Sequence, residues 1–249
     1  MSNLIAENLA RVRERIAAAA ARAGRDPEEV ILVAVTKTRT PAEIEAAYEA
    51  GVRHIGENRV EEAEFKRPQL DLPEAAWHMV GHVQSRKAER AAACFDVIES
   101  VDRVKIARYL DRAAEGREVS LPVLIEVNVG GEESKYGFGL EGRDNLERAV
   151  GEILALAYLR VEGLMTVAPI AEDPEAVRPV FARLRALRDA FRTRFPACAW
   201  DHLSMGMTDD FEVAVEEGAT MVRIGRAVFG PRQQGVRDGT RDQRDPDAL

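Results

Sequence analysis

The strongest constraint on this chain is a series of eight short apolar runs separated by helical stretches. They are ILVAVT at 31–36, HIGEN at 54–58, WHMVG at 77–81, DVIESV at 96–101, PVLIEVNV at 122–129, RVEGLMTV at 160–167, HLSMG at 202–206 and TMVRIG at 220–225. Several are apolar at nearly every position, which is the pattern of parallel strands covered on both faces rather than of a half-solvated antiparallel sheet. Eight such strands alternating with helices predict a single α/β domain, a (β/α)8 TIM-type barrel with an extra helix at its N-terminus. The 249 residues suit one barrel of this kind.

The helices between the strands carry their own start and stop signals. Thr40-Pro41-Ala42-Glu43 reads as a capping threonine, a first-turn proline and a glutamate three residues on, and the helix it opens stops at Gly51. Ile5, Leu9, Val12 and Ile16 recur at helical spacing, so the N-terminal segment is an amphipathic helix ending at Gly24 and packing on the domain. Charges at Glu7, Arg11, Arg13, Glu14 and Arg15 interrupt the apolar run that a signal peptide or membrane span requires. A long helix spans 175–195, with Val177, Val180, Phe181, Leu184, Leu187 and Phe191 on one stripe, and stops before Pro196. The barrel domain therefore covers 1–230. The last stretch, 231–249, has turn formers and charges but little to bury, and is read as a disordered tail.

Composition excludes some functions. A net charge of -8 and a pI near 5.3 argue against a general nucleic-acid binder, whose phosphate contacts need clustered Lys and Arg. Cys94 and Cys198 lack any metal-type spacing and read as reduced thiols of a cytoplasmic protein.

In a parallel barrel the reactive groups gather at the C-terminal ends of the strands. Here those ends deliver Thr36-Lys37, Glu57-Asn58, Gly81-His82, Asn128, Met165-Thr166, Ser204-Met205-Gly206-Met207 and Arg223-Ile224-Gly225-Arg226. Lys37 directly follows VAVT, so its amine projects at the barrel mouth, where partial desolvation makes a lysine nucleophilic and able to form a Schiff base. On spacing alone, a lysine paired with an acid or reaching solvent explains the position as well. Gly225 opens a short helix where backbone N–H groups can cradle a phosphate, with Arg226 adding charge. LSMGMTDDF is a similar turn, with Thr208 as the expected helix cap and Asp209 and Asp210 expected to face away from an anion. Two tight turns without ligands would also account for these segments. His54, His78, His82 and His202 fall on or beside strands, but they lack HExxH or Cys-cluster spacing and are read as hydrogen-bonded packing residues rather than metal ligands. Gly130-Gly131-Glu132-Glu133-Ser134-Lys135 lacks P-loop order and is read as a turn or a lid.

Taken together, VAVTKT, HIGENRVEE, WHMVGHVQSRK, EVNVGGEESKYGF, GLMTV and HLSMGMTDDFEVAVEEGATMVRIGRAVFG form an ordered series that resembles the pyridoxal phosphate homeostasis protein family, from Val33 to Gly230. That family is similar to the N-terminal barrel of alanine racemase, a fold-type III barrel, without the second β-domain. The resemblance implies a protein that binds pyridoxal 5'-phosphate (PLP), buffering it or delivering it transiently to apo-enzymes rather than catalysing a reaction. By the same resemblance Lys37 carries the Schiff base, Ser204, Gly225 and Arg226 hold the phosphate, Arg223 faces the pyridine nitrogen, and Asn58 and Met165 line the cofactor. An arginine facing that nitrogen disfavours its protonation and makes the ring a poorer electron sink. The chain departs from many family members at Arg226, where a small hydroxyl residue is usual. Two other functions keep Lys37: an amino-acid racemase, whose opposing tyrosine belongs to the missing domain and for which only Tyr136 is a candidate, and a lysine-dependent aldolase. Because the racemase dimer depends on that second domain, a monomer is expected.

Overall fold

In the computed structural model, residues 2–132, 134–140 and 143–231 are described. The eight expected strands form: β1 (Ile31–Val35), β2 (His54–Glu57), β3 (Ala76–Met79), β4 (Val97–Val101), β5 (Leu121–Asn128), β7 (Leu159–Met165), β8 (His202–Ser204) and β9 (Met221–Ile224). Their order is β4-β3-β2-β1-β9-β8-β7-β5, and a further β4–β5 pairing closes the ring, with every pairing parallel. A two-residue strand that the apolar pattern does not reveal, β6 (Phe138–Gly139), pairs with the end of β5 outside the ring.

Helices α2 (Pro41–Glu49), α3 (Val60–Lys66), α4 (Ala88–Cys94), α5 (Val104–Glu115), α6 (Arg143–Leu154), α7 (Arg178–Arg194), α8 (Phe211–Glu216) and α9 (Arg226–Phe229) follow the strands. The capping box at Thr40 forms with both of its reciprocal bonds. The long seventh helix starts later than its stripe suggests. Asp173 caps a 3-10 turn over Pro174–Val177, and the α-helix proper begins at Arg178, with Phe181, Leu184 and Phe191 buried. At the eighth strand the expected cap is corrected: Asp210, not Thr208, is the cap residue of α8, and the Thr208 hydroxyl accepts from Ala227 N at 3.4 Å, tying this turn to α9. Helix α1 (Ser2–Arg22) buries Ile5, Leu9, Val12 and Ile16 and lies across α2, α8 and α9. Its Asn8 donates to Val228 O at 2.9 Å, and Arg25, just beyond it, donates to Val215 O and Ala219 O. Among the described residues, no helix is long and apolar enough to cross a membrane. The expected tail lies, beyond Pro231, outside the described residues.

Two apolar regions hold the barrel. The large one lies between the strands and the helices. The small one, Leu124, Met165 and Met221 with Ile31 and Val167 against it, is separate from it and lies inside the barrel. Residues paired in register point to the same side of a sheet. The pairs Val33↔Arg223, Met165↔Ser204, Ser204↔Met221, Glu126↔Met165 and Gly56↔His78 therefore turn Arg223, Met165, Ser204, Glu126 and His78 to the inside.

Candidate functional site

Each residue singled out from the sequence stands at or just past the C-terminal end of a strand. Lys37 is half-buried, two residues beyond β1, and Asn58 is half-buried directly after β2. Met165 ends β7 and is buried in the interior cluster, whereas Ser204 ends β8 with 0% exposure. Arg223 is buried within β9, Gly225 caps α9, and Arg226 is the exposed first residue of that helix. Strands β1 and β9 are neighbours, as closure of the ring requires, so the segment carrying Lys37 and the turn at Gly225 adjoin. The approach is close: a Cβ on residue 225 would lie 3.2 Å from Val35 O, so glycine lets the two chain segments meet there.

Below the mouth, Arg223 is the hub of a buried polar network. Its Nη1 donates to Ser204 Oγ, its Nη2 donates to Thr166 O at 2.8 Å, and the Glu99 carboxylate lies 4.0 Å away. Ser204 Oγ in turn donates to Glu99 Oε2 at 2.5 Å. The hydroxyl expected to serve an anion bonds both Glu99 and Arg223 in this structure. On the other side of Glu99, His78 Nδ1 donates to Oε1 at 2.7 Å, and His78 Nε2 meets His54 Nδ1 at 2.9 Å. Burial alone would push Glu99 up, but the bond from His78, the charges of His78 and Arg223 and the Ser204 hydroxyl bring it below the ordinary carboxylate range. Burial, and then the neighbouring His78, lower His54 to about 4. Burial also lowers the Arg223 guanidinium, opposed by Glu99, Glu126 and Asp210, and an arginine so placed remains cationic.

A second group lines the same end of the barrel. Glu126 is buried, and desolvation, then the charge of Asp102, raises it to about 7 against the pull of Arg223. Asp102 accepts from His82 Nδ1 at 2.7 Å and from Arg103 at 3.0 Å, and the His82 ring stacks on Tyr136 at 3.7 Å. His202 meets Thr220 Oγ1 at 3.3 Å, so all four histidines have hydrogen-bonding partners. Among the described residues, no group of three or more His, Cys, Asp or Glu could hold a metal ion. Asp209 does not face away from the phosphate-type turn; both of its carboxylate oxygens pair with Arg226. Asp210 instead accepts from Met207 N at 2.5 Å.

Glu99, Glu126 and Asp102 were not singled out from the sequence as site residues. Their signal was nonetheless present. An acid inside DVIESV or PVLIEVNV stands where a strand covered on both faces has no water to offer, so it needs a cationic or hydrogen-bonding partner indoors. Asn58 Oδ1 and His82 Nε2 are among the buried side-chain atoms that have no hydrogen-bond partner among the described residues. Both belong to the mouth, where Gly81 packs so tightly on Asn58 that a Cβ there would lie 2.3 Å from Asn58 O.

Comparison with known proteins gives this site its context. The family model described as alanine racemase, N-terminal domain, matches residues 7–233. The chain is 43% identical over 227 residues to the pyridoxal phosphate homeostasis protein of Aquifex aeolicus, covering 91% of this chain and 98% of that one. It is 45% identical over 236 residues to the protein of that name from Pseudomonas aeruginosa, covering 93% and 97%. Among solved structures it is similar to PipY of Synechococcus elongatus with PLP bound, at a TM-score of 0.80 and 36% identity, covering 91% of this chain and 100% of that one. Alanine racemase from Clostridium difficile shares the fold alone, at 12% identity and a TM-score of 0.66, with 56% of its length matched. An arginine buried at the barrel mouth, a lysine at the end of β1 and a glycine turn beside it thus occur in a chain that belongs to the pyridoxal phosphate homeostasis protein family, within the alanine racemase N-terminal domain fold.

Proposed function

We propose that this protein binds pyridoxal 5'-phosphate at the C-terminal mouth of the barrel and serves the intracellular homeostasis of that cofactor, by buffering it or delivering it through a reversible Schiff base on Lys37. The observation that carries this reading is the adjacency of β1 and β9. It sets the amine-bearing segment beside a glycine turn, with the Arg223 cation inside the barrel on the same strand pair. The buried, unpartnered Asn58 Oδ1 at the same mouth fits a polar ligand there. When bound, PLP supplies an aldehyde carbon to which an amine adds with loss of water, reversibly.

The rest is the work of the chain's own residues. Gly225 and the backbone that opens α9 receive the phosphate, and Arg226 adds charge after exchanging Asp209 for it. Arg223 presents a permanent cation toward the ring nitrogen and keeps it from holding a proton, with Ser204 and Thr166 fixing its orientation. Ser204 enters the site through Arg223. Met165 supplies an apolar floor. A buffer needs only this anchoring and an exchangeable bond. The relatives of that name from Aquifex aeolicus, Pseudomonas aeruginosa and Escherichia coli are matched over 97% or more of their length, which supports carrying the homeostasis reading to this chain.

We further read the protein as a cytoplasmic monomer whose partners are apo-enzymes that depend on this cofactor. Both cysteines are free, as suits a reducing compartment. Incubating the purified protein with PLP is expected to produce visible absorption from the covalent linkage, and Lys37→Ala to abolish it. A protein that stays colourless would remove the reading. Single enantiomers of common amino acids are expected to keep their optical purity in the presence of the loaded protein; turnover at ordinary enzyme rates would replace the carrier with a racemase.

A further inference from the structure

The motif HIGENRVEEAEFK ends in a lysine that the cofactor reading does not use, and the structure gives that lysine a place. Lys66, the last residue of α3, is buried at 5% exposure. A buried ammonium needs acceptors for its three N–H groups. Lys66 Nζ finds three: Glu57 Oε1 at 2.8 Å, Glu62 Oε2 at 2.6 Å and the backbone carbonyl of Thr36 at 2.9 Å. That carbonyl belongs to the peptide bond that leads into Lys37.

The same three charges grip the chain on both sides of residue 37. On the near side, Thr36 Oγ1 donates to Glu57 Oε1 at 2.6 Å, and Thr36 N donates to Gly56 O at 2.9 Å. On the far side, Thr38 N donates to Glu62 Oε2 at 2.8 Å. Thr38 holds φ at 64°, a left-handed conformation that a β-branched residue adopts only when its surroundings impose it. One residue further on, Arg39 N donates to Thr36 O at 2.9 Å, and the Arg39 guanidinium donates to Phe229 O at 3.2 Å and Gly230 O at 2.5 Å, tying the loop to the end of α9. A backbone turn that would be free to swing at the end of a strand is thereby locked at 36, 38 and 39.

We propose that Lys66, with Glu57 and Glu62, is a positioning residue for Lys37: it fixes the peptide that carries the Schiff-base lysine and so determines how readily the amine reaches a bound aldehyde. The inference rests on the assignment of Lys37 to the cofactor. It differs from a merely structural role because its effect passes through the covalent bond and not through the phosphate or the ring. A ligand that shares phosphate and ring but lacks the aldehyde should not register it.

Pyridoxine 5'-phosphate is such a ligand, and binding of the two compounds to the full-length protein tests the idea. Lys66→Met is expected to weaken PLP binding about tenfold, since small misplacements of a reacting group carry penalties of this order. It should leave pyridoxine 5'-phosphate within about twofold of the unaltered protein and have no effect on PLP in a Lys37→Ala background. Because Lys66→Met strands two acids, Glu62→Ala provides a second variant; it keeps the Lys66–Glu57 pair, removes the hold on Thr38 N together with one of the three acceptors of Lys66, and should show the same pattern at about threefold. Equal losses for both ligands, or PLP affinity unchanged in the folded variants, would overturn the proposal. If Lys37→Ala itself binds PLP as tightly as the unaltered protein, the assignment of Lys37 fails and the proposal with it; if only Lys37→Ala loses affinity, the assignment stands and the proposal alone falls.

Discussion

The Arg223 guanidinium and the Glu99 carboxylate, from strands on opposite sides of the sequence, face each other at 4.0 Å inside the barrel, with Ser204 Oγ bonded to both. Neither is solvated, at 4% and 0% side-chain exposure, so each depends on the other for its charge.

Removing one partner of this pair should therefore be costly. Arg223→Ala is expected to lower stability by about 3–5 kcal/mol, because it strands a buried carboxylate. Adding Glu99→Gln should recover a large part of that loss, which a double-mutant cycle by urea unfolding will read. Additive losses would mean that the two residues are not coupled.

Glu126 gives the stability a pH dependence of definite sign. Its carboxyl is raised from 4.5 to about 7 in the folded protein, so between those values the folded state holds a proton that the unfolded state has released. Its contribution is full below the unfolded value and is lost as the pH climbs toward 7, by up to ~3 kcal/mol. Glu126→Gln cannot titrate. It should be more stable than the unaltered protein at pH 8 and should remove this part of the decline between pH 5 and 8 in denaturation profiles.

Close backbone packing at the mouth makes Gly81 less replaceable than Gly24. A Cβ on residue 81 would lie 2.3 Å from the rigid carbonyl of Asn58, whereas at Gly24 nothing lies within 4 Å and only its φ of 65° opposes a side chain. Gly24→Ala should cost about 1 kcal/mol. Gly81→Ala should cost more, at about 1–3 kcal/mol from overpacking, and should also weaken PLP binding by displacing Asn58. Calorimetry and ligand titration on the same samples separate the two effects.

Arg226 and Asp209 are exposed at 59% and 72%, so their ion pair contributes within about 1 kcal/mol to stability. Arg226→Ala is expected to melt close to the unaltered protein yet to bind PLP more weakly. Asp209→Ala frees the arginine and should bind it more tightly. Both shifts should shrink as salt is raised, because the charges involved are open to solvent. Tightening by the Arg226 variant would mean that the side chain obstructs the turn.

Much of this protein was determined locally and could be read from the sequence. The eight strands, the capping box at Thr40 and the positions of Lys37, Arg223 and Gly225 follow from runs of apolar residues, cap chemistry and the rule that a barrel's working groups sit where its strands end. Each of these signals is contained within about ten residues of chain.

Tertiary structure alone decided who meets whom inside the ring. Ser204 reaches Glu99 across 105 residues, and Lys66 takes hold of Thr36 across 30. Those contacts depend on the register of strands that are remote in sequence and on the exclusion of water from the barrel. A hydroxyl or a charge there must bond to whatever polar group closure brings within reach, and no local pattern specifies that partner.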